Sequence, residues 1–329
     1  MTAPFHLEDA RVQMTLAALA YTEDYDPKTK TIPPLSKVGP GIDAALASGR
    51  YATGTAWTRV WGPVEDPATD NLVYVARSSS GDYAVCLRGT TTQWLSRIED
   101  IPFGQTPFPT ANTDGATCSD GFVTALSAML AQSDQGLQLM DVLASATGTV
   151  LVTGHSQGAA LVPMVMAALK LGWTGHPPLS ATLRGFAFAP PTSGNPAFAA
   201  WVDRSLDCWF VINPLDVVPL GYAACGDVLT KGIPGPLNGG VKEDAEIIGG
   251  VGIAVGLADR SGPWAQPGQQ AVLAAMPLHS LDFFDQITGQ HNHNSYLYIL
   301  GAPQIAGPGQ SPLAPAPVPV PCVTNVPLA

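Results

Sequence analysis

The sequence predicts an α/β fold, with a mostly parallel central sheet covered by helices on both faces. Three observations carry this. From Gly148 onward, apolar runs of strand length alternate with runs of helical period: "GTVLVTG", "GAALVPMVMAALKLG", "TLRGFAFAPP", "NPAFAAWVDRSL" and "DCWFVINP". The strand-like runs are apolar along most of their length, as in a sheet buried on both sides. The chain has 329 residues, 46% hydrophobic and only 12% charged, which is ample globular sequence to bury such a core.

Taken in order, Asp9 to Ala20 has helical spacing, with Val12, Leu16, Leu19 and Ala20 on one side. Tyr21 to Arg50 is rich in Pro, Gly and Lys and reads as irregular. "NLVYVARS" and "DYAVCLRG", joined through "SSGD", carry the signal of a hairpin. "GFVTALSAMLAQSDQGLQLMDVLASAT" has helical period throughout. The helix that follows "GTVLVTG" closes at Gly172. Residues 221–275 form a glycine- and alanine-rich insertion. The tail 307–329 is proline-rich and expected to be extended. There is no internal repeat. The expected organisation is one α/β domain over residues 1–306, followed by that tail.

Several classes of function are disfavoured. The formal net charge is −11, and an acidic surface repels phosphate backbones, so nucleic acid is not an expected partner. The N-terminal stretch has acidic residues where a secretory signal carries Lys or Arg, and it lacks an apolar core, so no signal peptide is read from it. "IIGGVGIAVGLA" is too short and too glycine-rich to span a membrane. The five cysteines match no zinc spacing. Cys86 and Cys208 lie in apolar runs and are expected to be buried; Cys118, Cys225 and Cys322 lie in loop-like stretches, where one disulfide among the three stays open. "HNH" offers two histidines and no third ligand, so neither metal nor cofactor is expected.

Chemistry enters at "VLVTGHSQGAAL", Val150 to Leu161. Gly-x-Ser-x-Gly alone is weak, because a chain with 34 glycines shows it by chance about one time in five. Context strengthens it. A strand ending at Gly154 and a helix starting near Gln157 leave Ser156 on a sharp turn, with small residues on either side where strand and helix pack. This is the form of a nucleophile elbow, which exposes the serine hydroxyl at the carboxyl edge of the sheet and aims a helix N-terminus at it.

Such a serine needs a base, and the base needs an orienting carboxylate, in the chain order Ser, acid, His. Asp216, in "DCWFVINPLDVVPLGY", follows an apolar strand and would lie at the same sheet edge. Asp203 falls in an expected helix and Asp227 in a glycine-rich loop. Of six histidines, His6 and His176 are not in the required order, and His155 adjoins the serine, pointing to the other side of the elbow. His279 is placed to begin a helix, and His291 and His293 to lie in a loop before "SYLYIL". Residue types alone leave these three open.

Six motifs occur in the order and spacing of one family: "LRGT", "GFVTAL", "VTGHSQG", "FAPPTSGN", "VINPLDVVP" and "HNSYL". The chain resembles the class 3 lipases, fungal-lipase-like members of the α/β-hydrolase fold, over roughly Val73 to Leu300. In that family the base precedes an aromatic residue by three positions. His293 and Tyr296 fit this and His291 does not, so the resemblance implies a triad of Ser156, Asp216 and His293. It also implies an oxyanion hole from the backbone N–H of Gln157 and from the N–H and hydroxyl of Thr90. Each such donor is worth about 2.7–4 kcal/mol to the developing oxyanion.

In fungal members a short amphipathic lid follows the hydroxyl residue. Here residues 91–103, "TTQWLSRIEDIPF", place Trp94, Leu95, Ile98 and Ile101 at helical spacing, opposite Arg97, Glu99 and Asp100. Such a helix either covers an acyl pocket and opens at an oil surface or packs permanently on the core. The insertion departs from the compact fungal pattern, and its "EIIGGVGIAVGLADR" reads as a buried helix or a second cover. The expected function is cofactor-free hydrolysis of carboxylic esters with apolar acyl chains, acting on lipid or small ester substrates. An acyltransferase with the same acyl-enzyme and a non-catalytic binding scaffold are the alternatives.

Overall fold

The computed structural model describes residues 4–22, 35–66, 68–89, 104–108, 115–227, 255–274 and 283–305. Its centre is a seven-stranded sheet built from β1 (Trp57–Asp66), β2 (Asn71–Ser78), β3 (Tyr83–Arg88), β8 (Thr149–His155), β9 (Thr182–Phe188), β10 (Asp207–Ile212) and β11 (Gln270–Val272), in that spatial order. β1, β2 and β3 pair antiparallel; β3, β8, β9, β10 and β11 pair parallel. Two short hairpins stand apart from it: β4 (Gln105–Pro107) with β5 (Thr117–Ser119), and β6 (Ser133–Asp134) with β7 (Leu137–Gln138). The mostly parallel sheet with helices on both faces is what the alternation of elements predicts, and it has the α/β-hydrolase fold that the resemblance implies.

Two apolar cores flank the sheet. On one face, α3 (Asp120–Ala131), α4 (Leu139–Leu143), α5 (Gln157–Leu171) and α6 (Pro196–Ser205) pack over Val85, Val150, Val152 and Phe210. α5 is buried all round from Gly158 to Leu169, which explains why its sequence has no polar stripe. On the other face, α1 (Leu7–Leu19), α2 (Leu35–Ala47) and the helix His293–Leu300 cover Tyr74, Cys86, Phe186 and Val211.

α1 is pinned to the sheet by two buried bonds. Tyr74 hydroxyl donates to the Leu16 carbonyl at 2.6 Å, and Thr153 hydroxyl donates to the Gln13 carbonyl at 3.0 Å. This delivers Tyr21, just past the helix, to the neighbourhood of the serine turn.

Three element readings need correction. Residues 35–47, expected to be irregular, form α2 despite Pro40. Val38, Ile42 and Leu46 recur every fourth residue and are buried, so burial of one face outweighs the helix-breaking composition. The long helical reading after Gly121 breaks into α3 and α4 around β6 and β7, where Gln135 (φ 51°) and Gly136 (φ 82°) turn the chain. His291 and His293 are not in a loop: the helix Phe283–His291 ends on the first, and the helix His293–Leu300 starts on the second.

Cys86, Cys118, Cys208 and Cys225 are buried with free thiols. Cys322, His279, residues 228–254 of the insertion and the tail 307–329 lie outside the described residues. Residues 255–261 of the insertion are helical. Among the described residues, no helix is long and apolar enough to cross a membrane.

Candidate active site

β8 ends at His155 and α5 begins at Gln157, so Ser156 is the turn between them. Its backbone is left-handed, φ 61° and ψ −132°, an unfavourable conformation for a side chain that its surroundings must enforce. They do so through the two flanking glycines. A Cβ on Gly154 would stand 2.5 Å from the Gly158 carbonyl oxygen, and one on Gly158 would stand 2.6 Å from that of Leu87. Ser156 N–H donates to the Phe188 carbonyl at 3.0 Å, fixing the turn to β9.

The serine hydroxyl faces a histidine, and that histidine is His291. Ser156 Oγ lies 2.7 Å from His291 Nε2, and His291 Nδ1–H reaches Asp216 Oδ2 at 2.9 Å. Asp216 follows β10, as predicted, and is buried. Its carboxylate is held from three sides: His291 and the Tyr296 hydroxyl, at 2.8 Å, donate to Oδ2, and Val218 N–H donates to Oδ1 at 2.9 Å. Tyr296 hydroxyl in turn accepts the Asn213 N–H at 3.1 Å. Asn213 side-chain N–H groups reach Gln290 carbonyl and Oε1 at 3.1 and 2.8 Å, tying the end of β10 to the helix that carries His291.

The structure therefore corrects the expectation for His293. Its ring stacks on Tyr21, with centroids 4.7 Å apart and planes at 14°, and meets His155 edge-on at 6.2 Å. The physical reason is a helix boundary. Asn292 caps the second helix, accepting the Asn294 N–H at 2.8 Å, so the chain turns between the two histidines and sends His291 to Ser156 and Asp216 and His293 to Tyr21, with both rings meeting His155. Tyr296 keeps its contact with Asp216 although it lies five residues, not three, beyond the histidine at the serine. The capping pattern Asn-His-Asn-Ser was the readable signal for this boundary.

His155 has a second arrangement around it. Its Nδ1 lies 3.1 Å from Tyr21 hydroxyl and its Nε2 lies 2.9 Å from the His291 carbonyl. Burial holds its pKa well below the usual 6.5, with the His291 and His293 rings adding to the effect. His293 is likewise lowered to about 4, by burial and then by His291. Both rings are thus neutral at pH 7. From sequence His155 is set aside as pointing to the other side of the elbow, and Tyr21 is not singled out because its segment reads as irregular.

Of the oxyanion candidates, Gln157 opens α5, with its main chain at the helix N-terminus. Thr90 lies outside the described residues, as do Trp94, Leu95, Ile98 and Ile101 of the candidate lid. Gly89, the residue before Thr90, presses on the serine turn: a Cβ there would stand 2.8 Å from Gln157 N.

An elbow serine joined through a histidine to a carboxylate, at the carboxyl edge of a mostly parallel sheet, is the arrangement of the α/β-hydrolase fold. Residues 84–223 match the family model for lipase (class 3). No curated protein matches the chain by sequence. Among solved structures, the chain is similar to M37 lipase, with 19% identity and a TM-score of 0.75, covering 87% of this chain and 90% of that one. It is also similar to Lip2 lipase from Yarrowia lipolytica, with 17% identity and a TM-score of 0.52, covering 90% and 96% respectively. At these identities the likeness speaks for the fold.

Proposed function

We propose that this chain is a carboxylic ester hydrolase of the class 3 lipase type, working through an acyl-enzyme on Ser156, with His291 as the base and Asp216 as its orienting partner. The observation that carries the reading is the continuous row Ser156 Oγ, His291 Nε2, His291 Nδ1, Asp216 Oδ2, with contacts of 2.7 and 2.9 Å. His291 takes the hydroxyl proton as Ser156 Oγ attacks the ester carbonyl carbon. The imidazolium that forms is stabilised by Asp216, and it returns the proton to the leaving alcohol as the acyl–oxygen bond breaks. Water then attacks the acyl-enzyme by the same route and releases the acid. The Gln157 N–H, at the positive end of α5, and Thr90 serve the oxyanion. The Thr90 assignment rests on the "LRGT" resemblance.

The substrates are esters of apolar acyl chains, either soluble esters or acylglycerols at an interface. A series of p-nitrophenyl esters of increasing chain length, run below and above substrate solubility, separates the two. A serine-directed phosphonate should label the protein once, at Ser156, and Ser156→Ala should abolish both labelling and hydrolysis while remaining folded. Labelling elsewhere, or hydrolysis by that variant, removes the reading.

A further inference from the structure

Beside the row of Ser156, His291 and Asp216 runs a second hydrogen-bonded path, which shares no hydrogen bond with the reacting atoms, although the His155 ring lies against the His291 ring with centroids 4.9 Å apart. Gly89 N–H donates to Tyr21 hydroxyl at 3.1 Å. The hydroxyl lies 3.1 Å from His155 Nδ1, and more distantly, at 3.5 Å, from the His155 carbonyl. His155 Nε2 lies 2.9 Å from the His291 carbonyl. A carbonyl only accepts, so Nε2 carries the proton and Nδ1 of the neutral ring accepts from Tyr21. Every donor then has its acceptor along the path, from Gly89 through Tyr21 and His155 to His291.

We propose that Tyr21 and His155 are positioning residues that hold the end of β3 and the main chain of His291 at a set distance across the serine. This rests on the reading of His291 as the base. Gly89 backs onto the Gln157 nitrogen, so it sets where that oxyanion donor stands. The His291 carbonyl belongs to the residue whose ring must meet Ser156 and Asp216 at once. His291 lies at the end of its helix, where successive carbonyls lack intrahelical partners, and His155 supplies one. Tyr21 is fixed from the other side by the His293 ring stacked on it, which gives that histidine a packing role. A buried imidazole beside a serine is a costly way to fill space; an apolar side chain would do so without needing two partners.

The test uses the full chain and a soluble p-nitrophenyl ester below its solubility limit, with Ser156→Ala and His291→Ala as controls. Tyr21→Phe removes one hydroxyl and keeps the stacked ring; His155→Leu severs both halves of the path. Each should lower kcat roughly tenfold to a hundredfold with KM within about twofold, the scale of a small misplacement of catalytic groups. Because the two residues act in one path, the double variant should be no slower than His155→Leu by more than about twofold. His155→Gln keeps an amide N–H for the His291 carbonyl and should recover most of the lost kcat. Single variants with unchanged kcat, or losses that multiply in the double variant, overturn the proposal. Should His155→Leu not fold, Tyr21→Phe and His155→Gln decide it: a fall in the first with near-normal kcat in the second supports the tie, and unchanged kcat in the first overturns it. If the His291→Ala control stays active, the assignment of the base has failed instead, which separates the two outcomes.

Discussion

Replacing His291 by Ala is the sharpest perturbation of the site. The substitution removes the acceptor 2.7 Å from Ser156 Oγ and one of the three donors that hold Asp216. Tyr296 and Val218 still hold the carboxylate, so the fold should survive. General-base assistance is typically worth 10²–10⁴-fold, and nucleophile and base act as a unit, so kcat should fall on the order of 10³-fold or more. A 10³-fold loss corresponds to about 4 kcal/mol of activation free energy. Ser156→Ala combined with His291→Ala should be no slower than the serine variant alone.

His293→Ala makes the comparison decisive. It removes a ring that stacks on Tyr21 and contacts neither Ser156 nor Asp216 in the hydrogen-bonded row. Hydrolysis should stay within roughly tenfold of the parent, with the loss entering through the packing of Tyr21. The assay is initial rates on a soluble ester, with circular dichroism to establish folding and phosphonate titration to count active sites. If His293→Ala is the dead variant and His291→Ala turns over, the His-x-x-Tyr spacing identified the base and the geometric reasoning fails.

Three further outcomes are expected. Tyr296→Phe removes a donor to Asp216 and leaves the buried Asn213 N–H without that acceptor, so stability should fall by about 1–3 kcal/mol in denaturant melts and kcat by roughly tenfold; a variant unchanged in both would show that Asp216 is set by His291 and Val218 alone. Because the folded-state pKa values of His155 and His293 lie below the unfolded value of 6.5, the unfolded chain binds more protons between about pH 4 and 6.5, so the stability they contribute is present above 6.5 and lost as pH falls towards 4; a denaturant midpoint flat across that range would contradict the neutral, buried rings. Trp94→Ser with Ile98→Ser should raise rates on soluble esters and flatten any rise in activity above substrate solubility if residues 91–103 act as a lid, whereas simple saturation through the solubility limit in the parent, with unfolding of the double variant, would identify a fixed core element.

The parts of the fold that sequence reading recovered are those set by local chemistry. β8, Ser156 and α5 were legible because strand, turn and helix lie in one continuous stretch, and the turn demands glycines that sequence displays directly. β10 and Asp216 are legible for the same reason, an apolar strand followed four residues later by an acid. α2 was not, because its helix exists through burial of Val38, Ile42 and Leu46 against the sheet, and its composition argues the other way. The break between α3 and α4 was missed because the apolar spacing continues across it, and only Gln135 and Gly136 mark the turn.

The spacing rule and the geometry part company at His291 and His293 for a different reason. A spacing rule between histidine and tyrosine assumes that both ride on one element. Here Asn292 ends one helix and caps another, so His291 belongs to the first helix, and Tyr296 to the first turn of the second. What the site requires is that each reach Asp216 Oδ2, at 2.9 Å for the histidine and 2.8 Å for the tyrosine, and both do so from separate helices. The carboxylate is the fixed point and the chain distance between its two donors is free to vary. His293 kept the three-residue spacing because one helical turn separates it from Tyr296, a relation that says where the helix begins and nothing about which ring faces the serine.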